Sequence, residues 1–296
     1  MAALDALALP QAQRDANRRG IRLMLAAMGC LVVNDSLVKY ASQSLPVAQL
    51  IFVRGLFATG FVLLAARAGG LVPAPRRLAS RWVLVRAGLD ALGTLLYIVS
   101  LAHLPLGNAT AIGMAAPLFI TVLAVLWLKA RVDAPRWLAV AAGFAGVLLV
   151  IQPRADGFNA FAWLCLLATL LQALRDLVTL RVPRDLPSLG VTLATALAVT
   201  LLAGLVQLGG AWQPIAPAQL ALLAAAAAFL AAGYQLLVAA TRAAEPAVVA
   251  PLRYSGLLMA VATGWLIWGD MPNALAWAGI ALLFGAGLLL LRQDRG

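Results

Sequence analysis

Residues 245–268 read EPAVVAPLRYSGLLMAVATGWLIW, an apolar run long enough to cross a bilayer that holds one arginine, Arg253, inside its first half. At 1.5 Å of rise per residue, about 20 apolar residues span the hydrocarbon core, so a charge about six residues past Ala247 lies roughly 9 Å deep. A charge at that depth is costly. It marks either a functional site or a side chain that snorkels back to the headgroups. Pro251 withholds a backbone donor two positions earlier, which loosens the helix beside the charge.

The rest of the chain is of the same kind. Of its 296 residues, 64% are hydrophobic and 11% charged, with a mean hydropathy of +0.95, against roughly 45–50% apolar and 25% charged in soluble domains. Apolar runs punctuated by charges, Pro and Gly predict an all-α membrane protein with ten spans, at 21–40, 46–66, 82–101, 108–128, 136–151, 158–178, 188–208, 219–239, 247–268 and 273–291. Residues 1–20 carry Arg14, Arg18 and Arg19 ahead of a full-length span, with no small-residue cleavage site after a short apolar core. They read as a retained tail, not a signal peptide, and 292–296 form a second short tail.

The net charge of +11 sits in short connections that alternate along the chain. One set carries sixteen basic residues, from Arg14 to Arg295; the other carries Arg154 alone. This asymmetry places both termini in the cytoplasm, and it assigns the charge to orientation and not to a nucleic-acid partner. Trp82, Trp127, Trp137, Trp163, Trp212, Trp268 and Trp277 fall near span ends, where amphipathic rings anchor at headgroup level. Gly143 with Gly146, and Gly285 with Gly287, permit close helix approach. Cys30 and Cys165 lie within spans at no spacing that suggests a disulfide or a metal; no cofactor and no metal are expected. With one histidine, His103, and no H-E-x-x-H or phosphate loop, an intramembrane enzyme acting on a lipid-linked substrate is a remote alternative and no catalytic residue is assigned.

The chemistry lies in the charges inside spans: Asp35, Lys39, Arg54, Arg86, Asp90, Arg175, Asp176 and Arg253. Such groups pair with one another or line a wet cavity. Pairing three acids with three of the five bases leaves two cations that a bound anion would satisfy; if Lys39 and Arg86 snorkel, that surplus disappears. Asp35 stands roughly 20 Å up the first span and Arg54 about 12 Å down the second. They are candidates for a mutual ion pair, either a gate or proton site or a permanent bridge. Asp35 with Lys39, and Arg86 with Asp90, are four apart and can partly neutralise themselves. Arg175 and Asp176 are adjacent and do not share a helix face. Asp90, Gln172, Arg175, Asp176, Tyr234, Gln235, Arg253 and Tyr254 fall in the cytoplasmic halves of spans three, six, eight and nine. The expected substrate-binding residues are Arg253 for an anion, Tyr254 and Tyr234 for rings and hydroxyls, and Arg175, Gln172, Gln235 and Tyr97 beside them. Asp35, Arg54 and Asp90 are the expected gating or proton-coupling residues. A weak internal echo, Ala116-Pro-Leu against Ala250-Pro-Leu, fits two five-span halves of opposite orientation.

Several segments carry a family likeness: Asp35-Ser-Leu-Val-Lys39, Arg54-Gly55, Leu104-Pro-Leu-Gly-Asn-Ala-Thr-Ala111 leading to Ala116-Pro117-Leu118-Phe119, Gly143-Phe-Ala-Gly-Val-Leu-Leu149 with Pro153, and Pro246-Ala-Val-Val-Ala-Pro-Leu252 with Tyr254. On these the chain resembles the drug/metabolite transporter superfamily, EamA type. The resemblance implies ten helices as two inverted five-helix repeats, 21–152 and 153–291, around a central cavity lined by spans three, six, eight and nine. It implies secondary transport of a small polar metabolite by alternating access, in the bacterial inner membrane, by a monomer or homodimer. Proton-coupled export of a carboxylate-bearing metabolite such as an amino acid is the expectation; uptake of an S-adenosylmethionine- or riboflavin-like metabolite is the alternative. The chain departs from the family at Leu128-Lys129 and Gly269-Asp270, where Gly-Glu is usual.

Overall fold

The computed structural model describes residues 11–68, 78–129, 133–152, 159–183, 186–249 and 251–293. Arg76, Arg77, Arg131, Pro153, Arg154, Arg184 and Arg295, used above, lie outside the described residues. Lipid offers no partner to a bare backbone amide, so an apolar run crosses it as helix, and every regular element among the described residues is helical. In order they are α1 (Gln11–Ala41), α2 (Val47–Ala68), α3 (Arg81–His103), α4a (Leu106–Gly113), α4b (Ala116–Leu128), α5 (Ala134–Ile151), α6 (Phe161–Thr179), α7 (Ser188–Gln207), α8 (Pro217–Ala243), α9a (Pro246–Val249), a 3-10 turn (Pro251–Tyr254), α9b (Ser255–Trp268) and α10 (Ala274–Gln293). Through α8, with α4a and α4b taken together, they make eight segments long and apolar enough to cross a membrane; α9 and α10 complete the ten.

Two features depart from the sequence expectation. First, α1 begins ten residues before the first apolar run. Residues 11–20, read as tail, are dominated by good helix formers, and they are tied to the end of α8: Asn17 Oδ1 accepts from the Glu245 amide at 3.3 Å, and Gln13 Nε2 donates to Glu245 Oε1 at 3.2 Å. Second, spans four and nine are not continuous. Span four breaks at Met114–Ala115, where Ala115 N turns to Ile112 O at 3.0 Å, and restarts with Pro117 in the first turn of α4b, a place where the missing proline N–H costs nothing. Span nine breaks around Pro251, so the two Ala-Pro-Leu segments mark the two interrupted helices.

Packing repeats itself when the first five helices are exchanged with the last five. α1 packs on α8 as α3 packs on α6; α3 meets α7 as α2 meets α8; α1 meets α9b as α4b meets α6; and α2–α7, α5–α10 and α4a–α9b are each their own counterpart. That exchange is the signature of inverted repeats. The α5–α10 crossing is the tightest: a Cβ on Gly146 would stand 2.7 Å from Gly279 O, and one on Gly279 would meet Gly146 O closer still. Only glycine lets these two backbones touch.

The buried apolar core runs through most of the bundle, with a smaller cluster of Met24, Ala27, Met28, Ala240, Ala244 and Val249 at the end where α1 begins, here the amino-terminal face. Leu126, Leu138, Leu208 and Leu266 project outward as a lipid-facing surface. At the opposite face, among the described residues, connections and helix ends are bonded to one another. Gln49 and Gln213 exchange hydrogen bonds of 2.7 and 2.9 Å, Gln219 donates to Ser44 Oγ at 2.9 Å, and Gln152 and Asn273 pair their amides at 2.7 and 2.9 Å. Asn159 donates to His103 O at 2.7 Å.

Candidate functional site

The polar interior has two levels. The deeper one joins three helices. Asp35 of α1 accepts from Tyr97 of α3, whose hydroxyl donates to Oδ2 at 2.9 Å, and from the Asn34 amide at 2.8 Å. Arg54 of α2 donates from Nη1 to Asn34 Oδ1 at 3.2 Å. Asp35 and Arg54 therefore do not form the direct ion pair expected from their depths. Asn34, a residue the sequence reading passed over because it is uncharged, stands between them as acceptor to one and donor to the other. Thr110 of α4a lies beside the Tyr97 hydroxyl, and Cys165 of α6 packs close by, its Sγ 3.7 Å from Ala109 O.

The second level lies nearer the amino-terminal face. Arg175 of α6 bonds Asp90 of α3 through Nη1, and Asp176 through Nε and Nη2 at 3.0 and 2.8 Å. The adjacent pair that was expected to point apart is thus held together, because the arginine stem is long enough to fold back along its own helix. Arg86 makes no direct bond to Asp90 four residues on, though that carboxylate remains its first favourable charge; its Nε and Nη1 donate to Thr179 and Thr195 at 3.0 and 2.6 Å. Lys39 likewise leaves Asp35 and turns to the opposite face, donating to Leu104 O, standing 3.8 Å from Asp270 and 5.3 Å from the Trp268 ring centre. The Asp35–Lys39 pair thus yields to interhelical contacts, while Arg86 adds interhelical bonds to its attraction for Asp90.

Tyr234 of α8 links the two levels. It lies within electrostatic range of Asp35 and Arg54 above and of Arg86, Asp90, Arg175 and Asp176 below, and it is 52% exposed. Those groups belong to α1, α2, α3 and α6, so its hydroxyl is on the polar side of α8. Gln235 is exposed beside it, Asp176 is exposed, and Gln172 is half-buried over Gly93 of α3. Tyr97, Asp35 and Arg54 are thereby brought together through Asn34, Asp90 and Arg175 form a second group, and Tyr234 stands within electrostatic range of both.

Arg253 and Tyr254 are not brought into it. Expected inside a continuous span, Arg253 is instead exposed on the 3-10 turn and makes no ion pair among the described residues. The break at Pro251 is the reason: the segment that would have carried it into lipid is a turn. Tyr254 is buried against α10, its ring 5.1 Å from Phe284 and over Gly287, where a Cβ would overlap its hydroxyl. His103 is stacked on Phe161 at 3.8 Å at the opposite face. No group of acids, histidines or cysteines able to hold a metal exists among the described residues.

Interior charges bridged across interrupted, inverted helices define a polytopic membrane protein built to expose a polar site within lipid. Residues 18–152 match the EamA-like transporter family. The chain is 33% identical over 211 residues to the riboflavin transporter of Rhizobium johnstonii, covering 71% of this chain and 70% of that one. It is 28% identical to the pseudopaline exporter CntI of Pseudomonas aeruginosa over 95% of this chain and 99% of that one. A solved crystal structure superposes with a TM-score of 0.58 over 94% of this chain and 99% of the other at 16% identity, a likeness of fold. The chain belongs to the EamA-like transporters of the drug/metabolite transporter superfamily. It is a multi-pass membrane protein and a transporter of small molecules.

Proposed function

We propose that this protein is a proton-coupled secondary transporter of a small polar, carboxylate-bearing metabolite, working by alternating access in the bacterial inner membrane with both termini in the cytoplasm. The observation that carries this reading is the buried chain Tyr97–Asp35–Asn34–Arg54, with half-exposed Tyr234 within electrostatic range. A carboxyl group held in the middle of lipid by neutral donors is a place to load and release a proton. The repeats are taken as 21–152 and 153–291, and the basic connections orient them. The bonded connections at the opposite face, against accessible polar groups toward the amino-terminal face, support a conformation open to the cytoplasm. Asp90 and Arg175 then form the ion pair that has to rearrange when that side closes.

Two directions are compatible with this site. Export in exchange for protons is supported by likeness to an exporter along nearly its whole length. Uptake with a proton is favoured by a specific feature of the geometry. Asp35 and Arg54 lie on one hydrogen-bonded chain, so protonating Asp35 leaves one net positive charge in the layer, which a cargo carboxylate restores to neutrality. The test is proteoliposomes of the full-length protein loaded with a pH-sensitive dye and offered amino acids, organic acids and flavins in turn. A cargo-evoked proton movement that is lost in Asp35→Asn supports the reading, and its sign separates exchange from co-transport. Cargo movement with no accompanying proton overturns the coupling.

A further inference from the structure

We infer that Arg54 is the anion-binding residue of the site and that its guanidinium receives a carboxylate of the cargo; this rests on the transporter reading above. Arg54 is 6% exposed, and among the described residues the structure engages its Nη1 alone, with the neutral oxygen of Asn34 at 3.2 Å. Its Nε is fully enclosed and has no partner. A guanidinium stays charged and presents five donors, and the edge formed by Nε and Nη2 is the one a planar carboxylate bridges with two parallel bonds. An enclosed donor of a charged group without an acceptor costs free energy that a ligand oxygen removes.

The other interior cations are already met. Arg175 is held by Asp90 and Asp176, Arg86 by Thr179 and Thr195, and Lys39 by Leu104 O and Asp270. Asp35, the acid nearest Arg54 in the chain of bonds, is turned to Tyr97 and Asn34 and makes no bond to the Nε of the guanidinium. Half-exposed Tyr234 is within electrostatic range of Arg54. The geometry therefore favours Arg54 over Arg253, which lies on an exposed turn.

The test uses full-length protein in detergent labelled with 15N-arginine, with the Nε–H resonances followed as sodium acetate is added and sodium phosphate run separately. The Arg54 signal is identified by its loss in Arg54→Lys. A saturable shift of that signal with acetate supports the proposal. So does tightening of the acetate midpoint by roughly tenfold in Asp35→Asn, which removes the competing negative charge and keeps the guanidinium. An unmoved Arg54 signal overturns the proposal, as does an acetate midpoint, read from the rise in melting temperature, that is the same in Asp35→Asn as in the parent, a measurement that needs no resonance assignment and so does not depend on Arg54→Lys folding. A response to phosphate alone overturns the carboxylate assignment. Acetate binding at Arg54 in protein whose proteoliposomes move no cargo leaves this site standing and removes the transport reading.

Discussion

Asn34 carries no charge, yet the two deepest charges meet through it. Its amide is used at both ends, donating to Asp35 and accepting from Arg54, so an apolar residue of similar size would sever both bonds at once. Hydrogen bonds to charged groups contribute about 1.5–3 kcal/mol each. Asn34→Leu is therefore expected to lower cargo-evoked proton movement in proteoliposomes by at least about tenfold, while α1, which needs no help from this side chain to form, stays folded by circular dichroism. Unaltered flux would mean that the bridge is scaffolding. Asp35 and Arg54 were legible in the sequence because a charge in an apolar run is conspicuous. Asn34 was not, since a polar amide beside an aspartate has no signature until a second helix brings it a partner.

At the scale of elements, helix breaks and glycine contacts do what continuous spans cannot. Pro117 and Pro251 both fall where a helix restarts or turns, and the second break decides that Arg253 is exposed. Around α5 and α10 the backbones approach through Gly146 and Gly279. Adding bulk to a contact that tight costs typically about 1–3 kcal/mol, so Gly279→Val is expected to lower the melting temperature of the purified protein measurably. Gly285→Ala, where a Cβ would meet nothing within 4 Å, is expected to leave it near the parent value. An equal fall in both variants would show that the crossing is looser than described.

For the whole molecule, the asymmetry between its two faces matters most. The opposite face is closed by reciprocal amide pairs and by Lys39, which reaches the α3–α4a connection at Leu104 and the α9b–α10 connection at Asp270. Asp270 is about one-third exposed and the pair stands at 3.8 Å, so its contribution is of the order of 0.2–1 kcal/mol. Asp270→Asn is expected to shift the population toward opening at this face by about 1.4- to 5-fold. Hydrogen–deuterium exchange of the connection at 268–274 measures that shift. Exchange no faster than in the parent would mean that the amide pairs alone hold the face shut.

The amino-acid sequence by itself determined the crossings, the contrast of strongly and weakly basic connections and the list of charges within spans, of which Arg253 and Asp176 are exposed; of the repeat it held only a weak echo. Hydropathy and charge are properties of residues taken in order along the chain, and lipid enforces them locally. Only the tertiary structure decided who pairs with whom: Arg175 with Asp90, Lys39 with Asp270, Asp35 with Tyr97, and Arg54 left with an unmatched Nε. Asp35 and Lys39, four apart on one helix, lost that contest because lysine reaches past its own turn. The partner they find is set by helices that approach from distant parts of the chain.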